Sequence, residues 1–119
     1  MPDEPILPID HPMLSQPSIP IGRVDEGVRR LAEEMFHVMD RAHGAGLAAV
    51  QIGRPVRVVV VDVPDAEGTR HRLAIVNPTI VAACGRTVVG EEGCLSMPGY
   101  DIPVPRHERV EVAFIDLDG

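Results

Sequence analysis

The sequence predicts an α+β fold of mostly antiparallel β-sheets around one helix, and three observations carry that expectation. A single stretch, from Asp25 to about His43, places its apolar residues at helical spacing. Several short β-branched segments follow it at close intervals. Turn residues separate those segments, where a parallel sheet would need long helical crossovers.

The helix is the clearest element. Val28, Leu31, Ala32, Met35, Met39 and Ala42 recur at steps of three and four, while Arg29, Arg30, Glu33, Glu34 and Asp40 take the other face. Asp25 can cap its start and Gly44 can end it. Val56 to Val63 is a strand by its β-branched composition, and Pro64 to Gly68 is turn chemistry. Further strands are expected at Leu73–Val76, Thr79–Ala83 and Thr87–Val89, with Asn77-Pro78 and Gly85 as breaks. Val110–Leu117 alternates weakly and runs into Asp118-Gly119. Asp-Gly after a strand is a hairpin signal, so a return strand is expected beyond it, and without one the strand offers unpaired backbone groups.

Ahead of the helix, the first twenty residues hold six of the twelve prolines. Each proline fixes φ and biases its predecessor to extended geometry, so residues 1–23 read as an arm. Ile6, Leu7, Ile9, Met13, Leu14 and Ile19 are apolar enough to pin it across a core. The arm starts acidic and has no continuous apolar run, which makes it neither a signal peptide nor a membrane anchor. The cytoplasm is the expected location.

Composition narrows the function classes. A chain of 119 residues with a net charge of −7 is one domain's worth of sequence, without the basic footprint that nucleic acid or anionic lipid requires. Two cysteines make no disulfide framework. Cys84, among small apolar residues, reads as a buried thiol. Cys94 lies in Glu92-Gly93-Cys94-Leu95-Ser96, on a loop after a strand. There it can be a buried thiol, a metal ligand or, given an activating base, a nucleophile. Gln51 ends the glycine-punctuated run Gly44-Ala45-Gly46-Leu47-Ala48-Ala49-Val50-Gln51. It is a donor and acceptor amid small apolar residues, and the run lacks the spacing of a phosphate loop.

Taken together, these two segments resemble the first two of three motifs of the peptide deformylase family, usually written GxGxAAxQ and EGCxS. Every specified position matches, and the arm, the long helix and the strand order follow the same pattern. The resemblance implies a metal-dependent amidase that removes the formyl group from the initiator methionine of nascent polypeptides. It implies Fe²⁺ as cofactor, with Zn²⁺ or another divalent metal as replacement. Its partners would be N-formylmethionyl nascent peptides, with transient ribosome association of the complete enzyme and neither nucleic acid nor membrane as direct partner. Carried over residue by residue, Cys94 is the thiolate metal ligand. Gln51 and the backbone N–H of Leu95 serve the metal-bound water and the developing oxyanion. Gly46 contacts the substrate backbone, and Met97, Gly99 and Tyr100 shape the edge of the cleft.

The family's third motif, His-Glu-x-x-His on a helix, supplies two ligands and the general base, and it is absent. His107-Glu108 is the sole His-Glu pair, its fifth position is Glu111, and it reads as a solvated pair at a strand entrance. Residues 1–119 are therefore expected to form a single incomplete deformylase-like domain, the amino-terminal portion of such an enzyme, inactive alone. The alternative is a non-catalytic deformylase-like peptide-binding or interaction module.

Overall fold

The computed structural model describes residues 6–119, except the side chains of Cys84, Glu91, Glu108 and residues 97–102. Helix α1 spans Glu26–Arg41. Asp25 is its N-cap, with a carboxylate oxygen accepting from the Val28 N–H at 3.1 Å, which satisfies one of the unpaired donors of the first turn. Val28, Leu31, Ala32, Met35, Val38 and Met39 form its buried face. The helix closes on a Schellman arrangement, in which Gly44 N–H reaches the Met39 carbonyl and His43 N–H the Asp40 carbonyl. The left-handed residue is His43, at φ 56, and not Gly44. Gly44 therefore closes the helix through its N–H, and its lack of a side chain answers a different need.

Four strands make one antiparallel sheet in the order β1-β2-β3-β4. They are β1 Gly46–Ala48, β2 Val58–Pro64, β3 Arg70–Cys94 and β4 Met97–Ile115. The core lies where α1 crosses β1 and β2, and it buries Leu47, Val58, Val60 and Val76 with the helix residues. Ile6 and Ile21 of the arm, and Val24 just after it, pack against that core. Ile9 and Ile19 do not, being 57% and 62% exposed. The arm is held chiefly through its backbone. Ile19 bridges to Val56, and Asn77 exchanges two side-chain hydrogen bonds of 2.7 Å with the backbone of Ile21.

The expected breaks in the strand region are corrected. Asn77-Pro78 and Gly85 do not end strands, because β3 runs through them for 25 residues. They coincide with register shifts, at Val76/Thr79 and Cys84/Thr87. An extra residue in one strand bends and twists the ladder without ending it. Asn77 supports this with a left-handed φ of 50, and the Arg57 guanidinium bonds the Pro78 carbonyl. Val110 to Ile115 is likewise not partnerless, since it pairs with Val76 to Ala83 of β3. His107 sits within β4 opposite Thr87, exposed, and not at a strand entrance. Asp118-Gly119 forms a turn closed on Asp116. The long β3–β4 ribbon leaves Ile80, Val89 and Val110 exposed. The side chain of Cys84 lies outside the described residues.

Candidate active site

Gln51 sits on a short 3-10 turn, Ala49–Ile52, that directly follows β1. Ala49 and Ile52 are buried and Gly53 closes the turn at φ 83, so the turn is anchored on both sides of Gln51. Its amide orientation is determined by its neighbours. Gln51 Oε1 accepts from the Ala48 N–H at 3.0 Å. A backbone N–H can only donate, so the NH₂ end must face the other way. It donates to Ser96 Oγ at 3.0 Å and lies 3.4 Å from Cys94 Sγ.

Cys94 is the last residue of β3, paired with Met97, the first residue of β4. The sequence places it on a loop, whereas it stands at the edge of a two-residue turn made by Leu95 and Ser96. Its thiol is exposed. The ladder stops at Cys94 and Met97, so the Leu95 N–H lies outside it. Leu95 packs its side chain on the core and covers Gly44. A Cβ on Gly44 would stand 2.6 Å from Leu95 Cδ1, well inside van der Waals contact. That contact is the requirement for glycine at position 44, and it presses the two sequence motifs together.

Glu92 is held by a bidentate ion pair with Arg106 of β4, at 2.9 Å on both oxygens. This guanidinium hydrogen bond keeps the Glu92 carboxyl below its ordinary range. Glu92 therefore braces the ribbon beside Cys94 through its pair with Arg106. Gly46 is exposed on β1, paired with Val61, and its neighbours are no closer than 3.7 Å to a built Cβ. Nothing among the described residues demands glycine there. Met97 and Tyr100 have side chains outside the described residues, as does the contact surface that Gly99 was expected to share with them.

Ser96 is the residue that sequence reasoning passed over. It is the one buried polar side chain among the described residues, at 4% exposed. Its signal was present in the motif itself, but a serine beside a cysteine carries no spacing that reveals burial. Surface concavities also lie around Phe36. There the Arg72 guanidinium stacks 4.3 Å over the ring and pairs with Asp40 and Asp62, so its charge is compensated.

The donor set does not by itself fit a catalytic metal. Three protein ligands with an open position are the usual requirement. Among the described residues no group of three or more His, Cys, Asp or Glu side chains converges. Cys94 offers one soft donor, with a primary amide beside it.

Comparison with known proteins now bears on this arrangement. Residues 3–119 match the family model described as polypeptide deformylase. A peptide deformylase of Mesorhizobium japonicum is 41% identical over 119 residues, which is all of this chain and 68% of that protein. The crystal structure of the Ehrlichia chaffeensis peptide deformylase in complex with actinonin superposes with a TM-score of 0.92 at 36% identity. It is covered for 72% of its length by the whole of this chain. A Met-Ala-Ser-bound class I type b peptide deformylase from Acinetobacter baumannii gives 0.87 at 28% identity, over 97% of this chain and 77% of that one. This chain thus spans about two thirds of the length of the curated relatives it matches.

Proposed function

The chain belongs to the peptide deformylase family, and we propose that its residues build the thiolate, amide and backbone-donor wall of a deformylase site. The family hydrolyses the formyl group from N-formylmethionyl nascent peptides and is metal-dependent. The single observation that carries the residue assignment is the Gln51 amide, oriented by the Ala48 N–H so that its donors face the Cys94 thiol at 3.4 Å.

The roles follow from that geometry. Cys94 is the donor that this chain brings to the metal, Fe²⁺ with Zn²⁺ or another divalent ion as replacement. One thiolate cannot hold a catalytic ion, so no step of hydrolysis is assigned to these residues alone. Gln51 Nε2 gives one N–H to Ser96 and turns the other toward the Cys94 thiol, and that second N–H is assigned to the formyl oxygen that would gain charge beside the sulfur. The Leu95 N–H, outside the β-ladder, is the second donor to that oxygen. Fixed donors of this kind act by stabilising charge that develops in the transition state. Gly46, exposed on the edge strand with no atom closer than 3.7 Å to a built Cβ, admits close approach of a peptide backbone. Met97, Gly99 and Tyr100 border the same turn in sequence and are assigned to the edge of the methionine cleft. The Met-Ala-Ser ligand of the Acinetobacter baumannii relative supports a peptide substrate of this type.

Two ligands and a general base are not found in the sequence, and the 119 residues alone are accordingly assigned no turnover. The test joins them to the carboxy-terminal third of a matched relative and measures release of formate from formyl-Met-Ala-Ser. Activity that depends on Cys94 and Gln51 supports the assignment. Activity indifferent to both defeats it.

A further inference from the structure

We infer that Leu7, Pro8 and Ile9 form a strap that holds the Gln51 amide against Cys94, with Ser96 as the positioning residue through which it acts. The importance of that amide rests on the deformylase reading above, but the strap's geometry does not. The Leu7 N–H donates to the Gln51 carbonyl at 2.7 Å, and the Ile9 N–H donates to the Ser96 carbonyl at 3.0 Å. These acceptors stand 45 residues apart in sequence, one in each motif. Two residues of chain span at most about 7 Å, so the strap sets an upper limit on their separation. Pro8 suits the spacer position. It has no N–H to leave unpaired, its ring fixes φ, and it biases Leu7 toward extended geometry.

Ser96 links backbone and side chain. Its carbonyl takes the Ile9 N–H while its buried hydroxyl takes the Gln51 Nε2 donor at 3.0 Å. Among the described residues, Ser96 and Cys94 are the only groups outside the Ala48–Ile52 segment that bond the Gln51 amide. The strap is itself anchored at both ends. Ile6 packs on the core, and the His11 N–H closes a turn onto the Pro8 carbonyl at 2.9 Å before the 3-10 turn Pro12–Ser15. Displacing either backbone bond lets the Cys94 turn and the Gln51 turn separate, and the Nε2 end of the amide then has only solvent to face.

Nitrogen-15 NMR of the full 119-residue chain tests this without metal or turnover, so its failure and that of the deformylase reading are distinguishable. In the unmodified protein the Gln51 side-chain NH₂ pair is expected away from the free-glutamine position and protected from exchange. Leu7→Pro and Ile9→Pro each delete one strap donor, and Ser96→Ala deletes the hydroxyl. Each is expected to move the Gln51 pair to the free position and speed its exchange about fivefold or more, with α1 resonances unchanged. Ser96→Thr restores the protected pair. Asn77→Ala, which loosens the arm at Ile21 instead, leaves Gln51 where it was. Should a proline variant unfold, exchange in the unmodified chain decides the question under sub-denaturing urea. The Leu7 amide and the Gln51 NH₂ are expected to lose protection together. A Gln51 pair that stays protected after Leu7 opens, stays in place in either proline variant, or is free in the unmodified protein overturns the strap.

Discussion

Gly44→Ala puts a methyl group where Leu95 already is, and the size of the penalty follows from the distances. The new Cβ would lie 2.6 Å from Leu95 Cδ1, 3.2 Å from Cγ and 3.3 Å from Cδ2. Carbon atoms rest at about 3.5–4.0 Å, so the Leu95 side chain must retreat by about 1 Å. Overpacking a core in this way costs about 1–3 kcal/mol, and the lower half of that range applies because Leu95 is only partly buried. Gly44 has no positive φ, so alanine adds no backbone strain. It gives back about 0.4–1 kcal/mol by stiffening the unfolded chain. The expected net loss is about 0–1.6 kcal/mol. Leu95→Ala alone removes partly buried methyl groups and costs about 1–2 kcal/mol, below the fully buried range. In the double variant the clash is gone, so the two losses do not add, and a coupling of about 1 kcal/mol is expected. Urea unfolding of the four proteins, followed by circular dichroism at equal m-values, measures it. Strict additivity within about 0.3 kcal/mol would refute the contact between the motifs.

Further predictions address other parts of the chain. His43→Gly relieves a left-handed residue at the end of α1 and should raise stability by about 0.5–1 kcal/mol in the same urea assay. Asn77→Ala removes both hydrogen bonds to Ile21 at a left-handed position; a loss of about 2 kcal/mol is expected, and no change would contradict the arm's anchoring. The Asp40 carboxyl is lowered by its hydrogen bond from Arg72, and that of Asp62 by Arg70 and then Arg72. Their folded pKa values lie below the unfolded value of 3.8, so their contribution is complete above that pH and is lost as pH falls beneath it. Arg72→Gln should therefore flatten the acid limb of a stability profile and leave its slope at neutral pH unchanged. The metal-reconstituted chain by itself should hydrolyse formyl-Met-Ala-Ser no faster than its Cys94→Ala variant.

Much of the fold was legible because its signals are local. Helix α1 declared itself through apolar spacing and Asp25, and the β-branched run from Val56 gave β2 to within two residues at its start. The long strands were misjudged because Asn77-Pro78 and Gly85 are breakers only in isolation. Pairing with β4 on one side carries the ladder across them as bulges. The end of α1 was legible, but not the whole reason for its glycine. A glycine after a helix suggests conformational freedom, whereas Gly44 answers a contact with a side chain 51 positions away, and no local pattern records that. In the site, Cys94 and Gln51 were legible from two motifs taken together. Their 3.4 Å approach was not, nor was the burial of Ser96, since both depend on the turn after β3 meeting the turn after β1.

Cys94 and Gln51 are proposed to form one wall of a deformylase site. The most direct measurement is formate release from formyl-Met-Ala-Ser by these 119 residues joined to the carboxy-terminal third of the Mesorhizobium japonicum relative. The expected result is turnover that Cys94→Ala abolishes and Gln51→Ala lowers by about 100-fold, the loss expected for one transition-state donor. Turnover that survives Cys94→Ala, or is unchanged by Gln51→Ala, would contradict it.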